Sequence, residues 1–371
     1  MTPSEIKVAS IVTDSGPLPG ATEGSYRGAA AYLAMVNAQG GVCGRKITLL
    51  KGDDGLDPSK GRSEFLRLEP QVLAFVGSYA VADSGYLDLV QRTNAPYVSL
   101  SVDPSGRKLP SVWPKISDDL ISTGPFVWWR RGHPNAKNAS LLYADVGGVK
   151  ANVPGTVAAI KKAGFDLVQP AVAVRVTDPD YTGAVRNLQD KKVQFVYLFA
   201  FEVNMHVRFI RSMRQQNYDP EIKGSNIAFN NRFSQLLGRD GDGWENHLAH
   251  LPFLDPTEAG RSPAAAQFLE WNNRVFPGSQ LDLFPVAGWG RAAFFVQALR
   301  NVGGDVTRDK LLAELAKVPV YDDGGIGVKV EPRTGRPDTC FAMAKHSGGR
   351  WTREHPASGY ECSLGEILKF K

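Results

Sequence analysis

The stretch Ile6–Gly61, IKVASIVTDSGPLPGATEGSYRGAAAYLAMVNAQGGVCGRKITLLKGDDGLDPSKG, decides the fold. Its first seven residues are rich in β-branched side chains and predict a strand. The clusters Ser15-Gly16-Pro17 and Pro19-Gly20 force a loop. From Thr22 to Asn37, Tyr26, Ala29, Ala30, Leu33 and Val36 recur at helical spacing, and Gly40-Gly41 ends that helix. Lys46–Leu50 predicts a second strand. Asp57-Pro58 then supplies an N-cap and an N1 proline for the next helix. Strand, helix, strand, helix is the signature of an α/β fold with a parallel sheet covered by helices. Small ligands bind such sheets beyond the carboxyl ends of the strands, so the loop Thr13–Glu23 is a candidate ligand wall.

The alternation continues. Val72–Gly77 (VLAFVG) predicts a strand, and Ser78–Ser84 should open a helix reaching about Arg92, with amides available to an anion at its start. Ala95–Leu100 predicts a strand that exits through Ser101-Val102-Asp103-Pro104. Val112–Ser117 reads as extended, and Asp118-Asp119 precede a helix carrying Phe126, Trp128 and Trp129. A second array begins near Ala139, with strands at ASLLYAD, LVQPAVAV, VQFVYLFAF and, shorter, Ser225–Phe229. Helices are expected up to about Ala163, over Tyr181–Lys191, Asn204–Gln216, Ser262–Val275, Val286–Val302 and Thr307–Val318. Two β-like segments, 326–330 and 339–345, close the chain. Two such arrays in 371 residues imply two lobes, since one ordinary core does not grow that large.

Hydrophobic content of 43% and charged content of 22% fit a soluble globular protein. Lysines and arginines are dispersed, and the net charge of +5 with a pI near 9.0 forms no basic stripe interleaved with aromatics, which argues against a nucleic-acid partner. No run approaches 18 apolar residues. Met1–Glu5 is polar and has no leader-like h-region, which fits either a cytosolic protein or a mature form without its export signal. Cys340 and Cys362 flank a hairpin-like segment and could pair or remain free thiols. Cys43, between glycine neighbours, reads as structural.

In order along the chain stand Ser15-Gly16-Pro17-Leu18, Gly28-Ala29, Asn37–Gly41 with Gly44-Arg45, Asp53-Asp54 with Asp57-Pro58, and Phe75-Val76-Gly77-Ser78. Ser99 with Ser101, Ile116–Asp119, Asp145 in LLYAD, and Val193–Tyr197 follow. By these residues the chain resembles the leucine/isoleucine/valine-binding type of periplasmic solute-binding protein, over nearly its whole length. The resemblance implies a type I architecture: two doubly wound parallel-sheet lobes joined by a three-strand hinge, residues 1–118 with 252–326 and residues 119–251 with 327–371. It implies a non-enzymatic, monomeric extracytoplasmic receptor, without cofactor or metal. Such a receptor binds a small solute between its lobes by hinge closure and delivers it to an ABC permease in the membrane.

The resemblance places Tyr79, Ala80 and Val81 in one ligand loop and Ser101, Val102 and Asp103 in another, with Ser101 the leading candidate for a ligand carboxylate or hydroxyl. In the second lobe the pattern departs from the family. Asp145–Val149 stands where relatives carry a stacking Tyr, Phe201-Glu202 where an aromatic follows the strand, and Gly224-Ser225-Asn226 where an acid meets the ligand's ammonium. A buried ammonium without a carboxylate is costly. An α-amino-acid ligand therefore requires Glu202, Asp119 or Asp103, while Tyr79, Phe201, Phe229 and Trp289 could line an apolar slot for an aromatic or organic acid. A ligand sensor of the same fold, binding a small amide or organic acid, is the second reading; a hydrolase on a doubly wound sheet is the remote one. Asp53–Asp57 lacks the closing Glu of a calcium loop, and His247-x-x-His250 lacks the carboxylate of a zinc helix.

Overall fold

The computed structural model describes residues 2–146 and 148–371. The chain divides into two units. Unit 1 holds the chain to Ser117, Ser262–Ser279 and Leu283–Arg336; unit 2 holds Asp118–Arg261, Gln280–Asp282 and Pro337–Lys371.

Unit 1 begins with β1 (Glu5–Val12), α1 (Glu23–Ala38), β2 (Lys46–Asp53), α2 (Pro58–Leu68), β3 (Ala74–Val76), α3 (Leu87–Thr93), β4 (Tyr97–Val98), α4 (Pro104–Arg107) and β5 (Val112–Trp113). The five strands form a parallel sheet in the order β2-β1-β3-β4-β5. In β1, Ile6, Val8, Ala9, Ile11 and Val12 are all fully buried, as a central parallel strand covered on both faces requires. The Asp57 carboxylate caps α2 by accepting from the Ser59 and Lys60 amides.

Unit 2 continues with β6 (Leu120–Ser122), α5 (Gly124–Gly132), β7 (Asn138–Ala144), α6 (Val149–Lys162), β8 (Asp166–Leu167), β9 (Val172–Val174), α7 (Thr182–Asp190), β10 (Phe195–Phe199), α8 (Val203–Gln215), β11 (Glu221–Gly224), α9 (Asn231–Leu237), β12 (Glu245–Leu248) and α10 (Glu258–Arg261). The chain returns to unit 1 for α11 (Pro263–Val275), α12 (Leu283–Val302) and α13 (Arg308–Leu315), and ends in unit 2 with β13 (Ala342–Ser347), β14 (Arg350–His355) and β15 (Ile367–Lys369). The main sheet of unit 2 runs β14-β13-β12-β11-β10-β7-β8, with β9 also on β7 and only β13 and β14 antiparallel. β15 pairs with β6.

The structure corrects several expectations. Residues 252–261 belong to unit 2, because Asp255 accepts from the Arg353 amide and Glu258 pairs with the buried Arg353 guanidinium at 2.8 Å. Residues 327–336 belong to unit 1, because Pro332 and Gly335 carbonyls accept from the Lys115 and Ser117 amides. LVQPAVAV splits into β8 and β9 around Pro170. Ser225–Phe229 is not a strand; the strand ends at Gly224, and Asn226–Ala228 form a 3-10 turn. Ser78–Ser84 does not open a continuous helix: a short 3-10 turn, Asp83–Gly85, precedes α3. Cys340 and Cys362 are disulfide-bonded, and Cys43 is an exposed thiol.

The seam of unit 1 is the contact of α1 with α12. A Cβ on Gly288 would lie 1.8 Å from the Ser25 carbonyl oxygen, and one on Gly28 1.8 Å from that of Pro285. Gly288→Ala should therefore lower stability by about 1–3 kcal/mol, the range for overpacking, read from the urea midpoint.

Unit 2 buries His206 and His250 and half-buries His247, and loss of solvent around each ring pushes all three down to about 4. Their unfolded value is about 6.5, so acidification protonates the unfolded chain first and stability falls between about pH 6.5 and pH 4. Buried Asp83, raised to about 6, acts oppositely below pH 6 and offsets roughly one histidine. Each histidine contributes up to about 1.4 kcal/mol per pH unit. Urea midpoints measured across this window should fall with pH, and His247→Phe, whose ring lies among Phe126, Trp129 and Tyr197, should flatten the slope.

Candidate functional site

Both loops expected to meet ligand leave the carboxyl edge of the unit 1 sheet, Tyr79–Ala82 after β3 and Ser101–Asp103 after β4. The wall loop Thr13–Glu23 is fastened to the same edge. Asp53 at the end of β2 accepts from the Asp14 and Ser15 amides at 2.9 and 3.1 Å. Thr22 accepts from the Thr13 amide and donates to the Tyr79 carbonyl.

The edge's amides are mostly committed to the protein itself. Tyr79 N–H donates to the Ile11 carbonyl at 3.0 Å, Val81 N–H to the Thr13 hydroxyl at 2.9 Å, and Ala82 N–H to buried Asp54 at 2.9 Å. Only Ala80 N–H, of the expected three, has no acceptor among the described residues. In the second loop, Asp83 collects the donors. Its carboxylate accepts from Ser101 Oγ at 2.6 Å, Val102 N–H at 2.9 Å and Asp103 N–H at 3.2 Å. Asp83 and Ser101 are each 1% exposed. Three donors on two oxygens suit an ionised, acceptor-only carboxylate. Burial pulls the other way and raises the group to about 6. The expectation that Ser101 offers its hydroxyl to a ligand is thus replaced by an inward bond. Gly106 makes room for it, since a Cβ there would lie 2.1 Å from Ser101 Oγ. The Asp103 side chain caps α4 through the Ser105 amide at 2.8 Å.

What this edge does present is aromatic and cationic. Tyr79 is half-buried and meets Phe284 edge-to-face at 4.9 Å. Arg107 and Arg291 both favour ionisation of the Tyr79 hydroxyl, which places their charges near it, although burial raises its pKa. Arg107 donates to the Ser101 and Val102 carbonyls at 3.0 and 3.1 Å. Arg291 is buried, pairs with Asp323 at 3.2 Å and bonds the Tyr321 hydroxyl, while its Nε has no partner among the described residues. Phe284, Arg107, Arg291 and Asp83 carried no local signal that sequence reasoning used.

Three aromatics expected in a slot are core residues instead. Trp289, 1% exposed, packs edge-to-face on Tyr32 and Phe268 between α1, α11 and α12. Phe201 is fully buried against Tyr181, His206 and Phe209. Phe229 is fully buried against His250, Phe253 and Trp351.

At the strand exits of unit 2, Glu202 caps α8, accepting from the Asn204 and Met205 amides at 2.7 and 2.8 Å. That helix-capping role explains an acid that sequence reasoning assigned to a ligand ammonium. Asn226 is half-buried and opens the 3-10 turn, beside Ser225, whose buried hydroxyl has no partner among the described residues. Asp119 accepts from the Phe370 amide through its carbonyl, with Lys369 3.8 Å from its carboxylate. Asp145 is exposed, and Gly147 in the segment expected to replace a stacking Tyr lies outside the described residues. Ala200, after β10, holds φ +59°, a left-handed conformation costly for a residue with a Cβ.

Two features lie elsewhere. Ser234 Oγ is 3.0 Å from His346 Nε2, and His346 Nδ1 is 3.1 Å from Asp242. The imidazole is fully buried against Phe233 and Trp351, and Asp242 also accepts from the Gly348 and Gly349 amides. This chain ties a hairpin to α9. A cavity of about 540 Å³, lined by Met213, Tyr218, Glu221 and Trp244, opens at the amino end of β11, away from the strand exits.

Parallel sheets with loops gathered at their carboxyl edges, in two units that a single chain enters more than once, define a type I periplasmic binding protein. Residues 5–350 match the family described as periplasmic binding protein, and the chain belongs to that family, whose members are binding proteins rather than enzymes. It is similar to a Leu/Ile/Val-binding protein of Citrobacter freundii, 21% identical over 284 residues, covering 71% of this chain and 75% of that one. Its fold is similar to that of a fatty acid ABC transporter substrate-binding protein from Thermomonospora curvata, with TM-score 0.79, 21% identity, and coverage of 98% and 94%. A leucine-binding protein from Thermotoga maritima gives TM-score 0.76 at 16% identity, covering 94% and 97%.

Ser101→Ala removes a donor from a buried carboxylate. It should cost about 1.5–3 kcal/mol of stability, seen as a lower urea midpoint, with ligand affinity little changed. Unchanged stability with weakened binding would return Ser101 to the ligand.

Proposed function

We propose that the protein is the extracytoplasmic solute-binding component of an ABC importer, a monomer that captures a small solute and hands it to a membrane permease. Its family, and relatives named as ABC transporter substrate-binding proteins, support this reading. The solute has an aromatic or aliphatic body, as an organic acid or amide does. The observation that carries this is the half-buried Tyr79–Phe284 pair at the carboxyl edge of the unit 1 sheet. An α-amino acid is less well served, because Asp103 and Glu202, two acids expected to meet its ammonium, are both helix caps. The ligands for which these relatives are named, branched-chain amino acids and fatty acids, share the apolar body.

A thermal-shift screen tests the reading, with α-amino acids in one set and benzoates, phenylpropanoids, fatty acids, keto acids and short amides in the other. Ligand at about 1,000 times its dissociation constant adds roughly 4 kcal/mol. Members of the second set should raise the melting temperature; a response to amino acids alone would sink the proposed solute class. Tyr79→Ala should weaken the best aromatic ligand about tenfold, the scale of a lost aromatic contact, with little effect on the unliganded protein. Trp289→Ala should instead cost about 3–5 kcal/mol of stability and weaken all ligands alike.

A further inference from the structure

The polar half of the recognition problem turns on Asp83. Ser101 Oγ, Val102 N–H and Asp103 N–H point at one place just inside the carboxyl edge, with the geometry that would hold a carboxylate. That place is taken by a side chain of the protein. We propose that Asp83 is a specificity-determining residue: its carboxylate fills the anion cradle of unit 1, so that this face selects solutes whose polar end is neutral, such as a primary amide or an alcohol, over the matching carboxylates. The inference rests on reading this edge as the ligand wall.

The chemistry follows from occupancy and charge. A solute carboxylate arriving at the edge finds the three convergent donors already used. Neighbouring donors are used as well, Val81 N–H by Thr13 and Ala82 N–H by Asp54. It also meets the charge of Asp83 close beneath the surface, where repulsion is strong because little water screens it. The cations nearby do not restore a vacant anion site. Arg291 is paired with Asp323, and Arg107 is engaged with the carbonyls of the same loop. A neutral polar end needs only one donor and one acceptor. The half-buried Tyr79 hydroxyl can serve as both, with Phe284 beside it.

Removing the carboxylate should reopen the cradle. Asp83→Ala leaves a carboxylate-sized hole lined by three donors, and formate or acetate should refill it. In the purified full chain, millimolar formate should raise the melting temperature of Asp83→Ala, or rescue its folding, while chloride at equal ionic strength does not and the unsubstituted protein does not respond. Independently, the unsubstituted protein should take phenylacetamide over phenylacetate, and hexanamide over hexanoate, by at least about tenfold. Asp83→Ala should shrink or reverse that ratio. Equal or tighter binding of the carboxylates by the unsubstituted protein would overturn the inference. So would an Asp83→Ala protein that gains nothing from formate or acetate. If neither member of any pair shifts the unsubstituted protein, the proposed solute class falls, and the formate arm alone decides whether Asp83 fills an anion cradle.

Discussion

Unit 1 exists as one body because two helices far apart in the chain touch through their backbones. α1 ends before residue 40 and α12 begins after residue 280, yet Gly24, Gly28 and Gly288 bring them so close that any side chain at these positions would collide with Pro285 or the Ser25 carbonyl. Close approach multiplies dispersion contacts, each small, over a long seam. It also offsets the entropy of gathering distant segments. The same seam fixes the start of α12, and with it Phe284 beside Tyr79. The geometry of the candidate wall is therefore set from behind, by glycines that touch no ligand.

The second constraint is electrostatic. A strand that stops at a parallel sheet's edge leaves amides that no neighbouring strand satisfies, and buried amides need acceptors. This edge answers with three aspartates. Asp53 takes the amides of the wall loop, Asp54 takes Leu56 and Ala82, and Asp83 takes Val102 and Asp103. Apart from the local Asp54–Leu56 bond, each tie joins two loops that leave different strands. Asp53 is held below the ordinary carboxylate range despite its partial burial, because Lys60 and Ser15 hydrogen-bond to it; Asp83, with only neutral donors, is pushed up by burial. Equivalent chemical groups at one sheet edge thus differ according to whether a cation accompanies them.

The opening βαβα unit was legible because every local signal agreed: β-branched runs, a helical period, paired glycines at a C-terminus and an Asp-Pro cap. What was not legible depended on partners distant in the chain. SNIAF ends in an apolar run and reads as a short strand, yet β11 ends one residue before it, where the 3-10 turn takes over. Trp289 was expected to line an apolar slot; the glycines beside it instead admit α1 and the 323–327 segment, and the indole is buried. Glu202 followed a strand exit and looked like a free acid, but the next residues turn into α8 and claim it as a cap. Asp83-Ser84-Gly85 reads as the opening of a helix. Nothing local reveals that its carboxylate reaches a loop about 20 residues further along.

That last case bears on how this edge recognises anything. A loop whose amides wait for a ligand carboxylate is underdetermined until the ligand arrives, and ordering it then subtracts from affinity. Here the ordering is done by the fold: Asp83 holds Ser101, Val102 and Asp103 in place whether or not a solute is present. Preorganisation of this kind costs charge burial within the protein, visible in the raised pKa of Asp83. If this edge meets the solute as proposed, discrimination passes from the shared carboxylate of many metabolites to features that differ between them, the shape of an apolar body against Tyr79 and Phe284 and the hydrogen-bonding of its far end. A hydrophobic wall alone separates close homologues weakly, whereas an unsatisfied polar end separates them strongly. On the reading proposed above, the strongest lever for specificity at this edge is the little hydrogen-bonding capacity still uncommitted, the half-buried Tyr79 hydroxyl foremost, beside Phe284 and near a carboxylate the protein supplies itself.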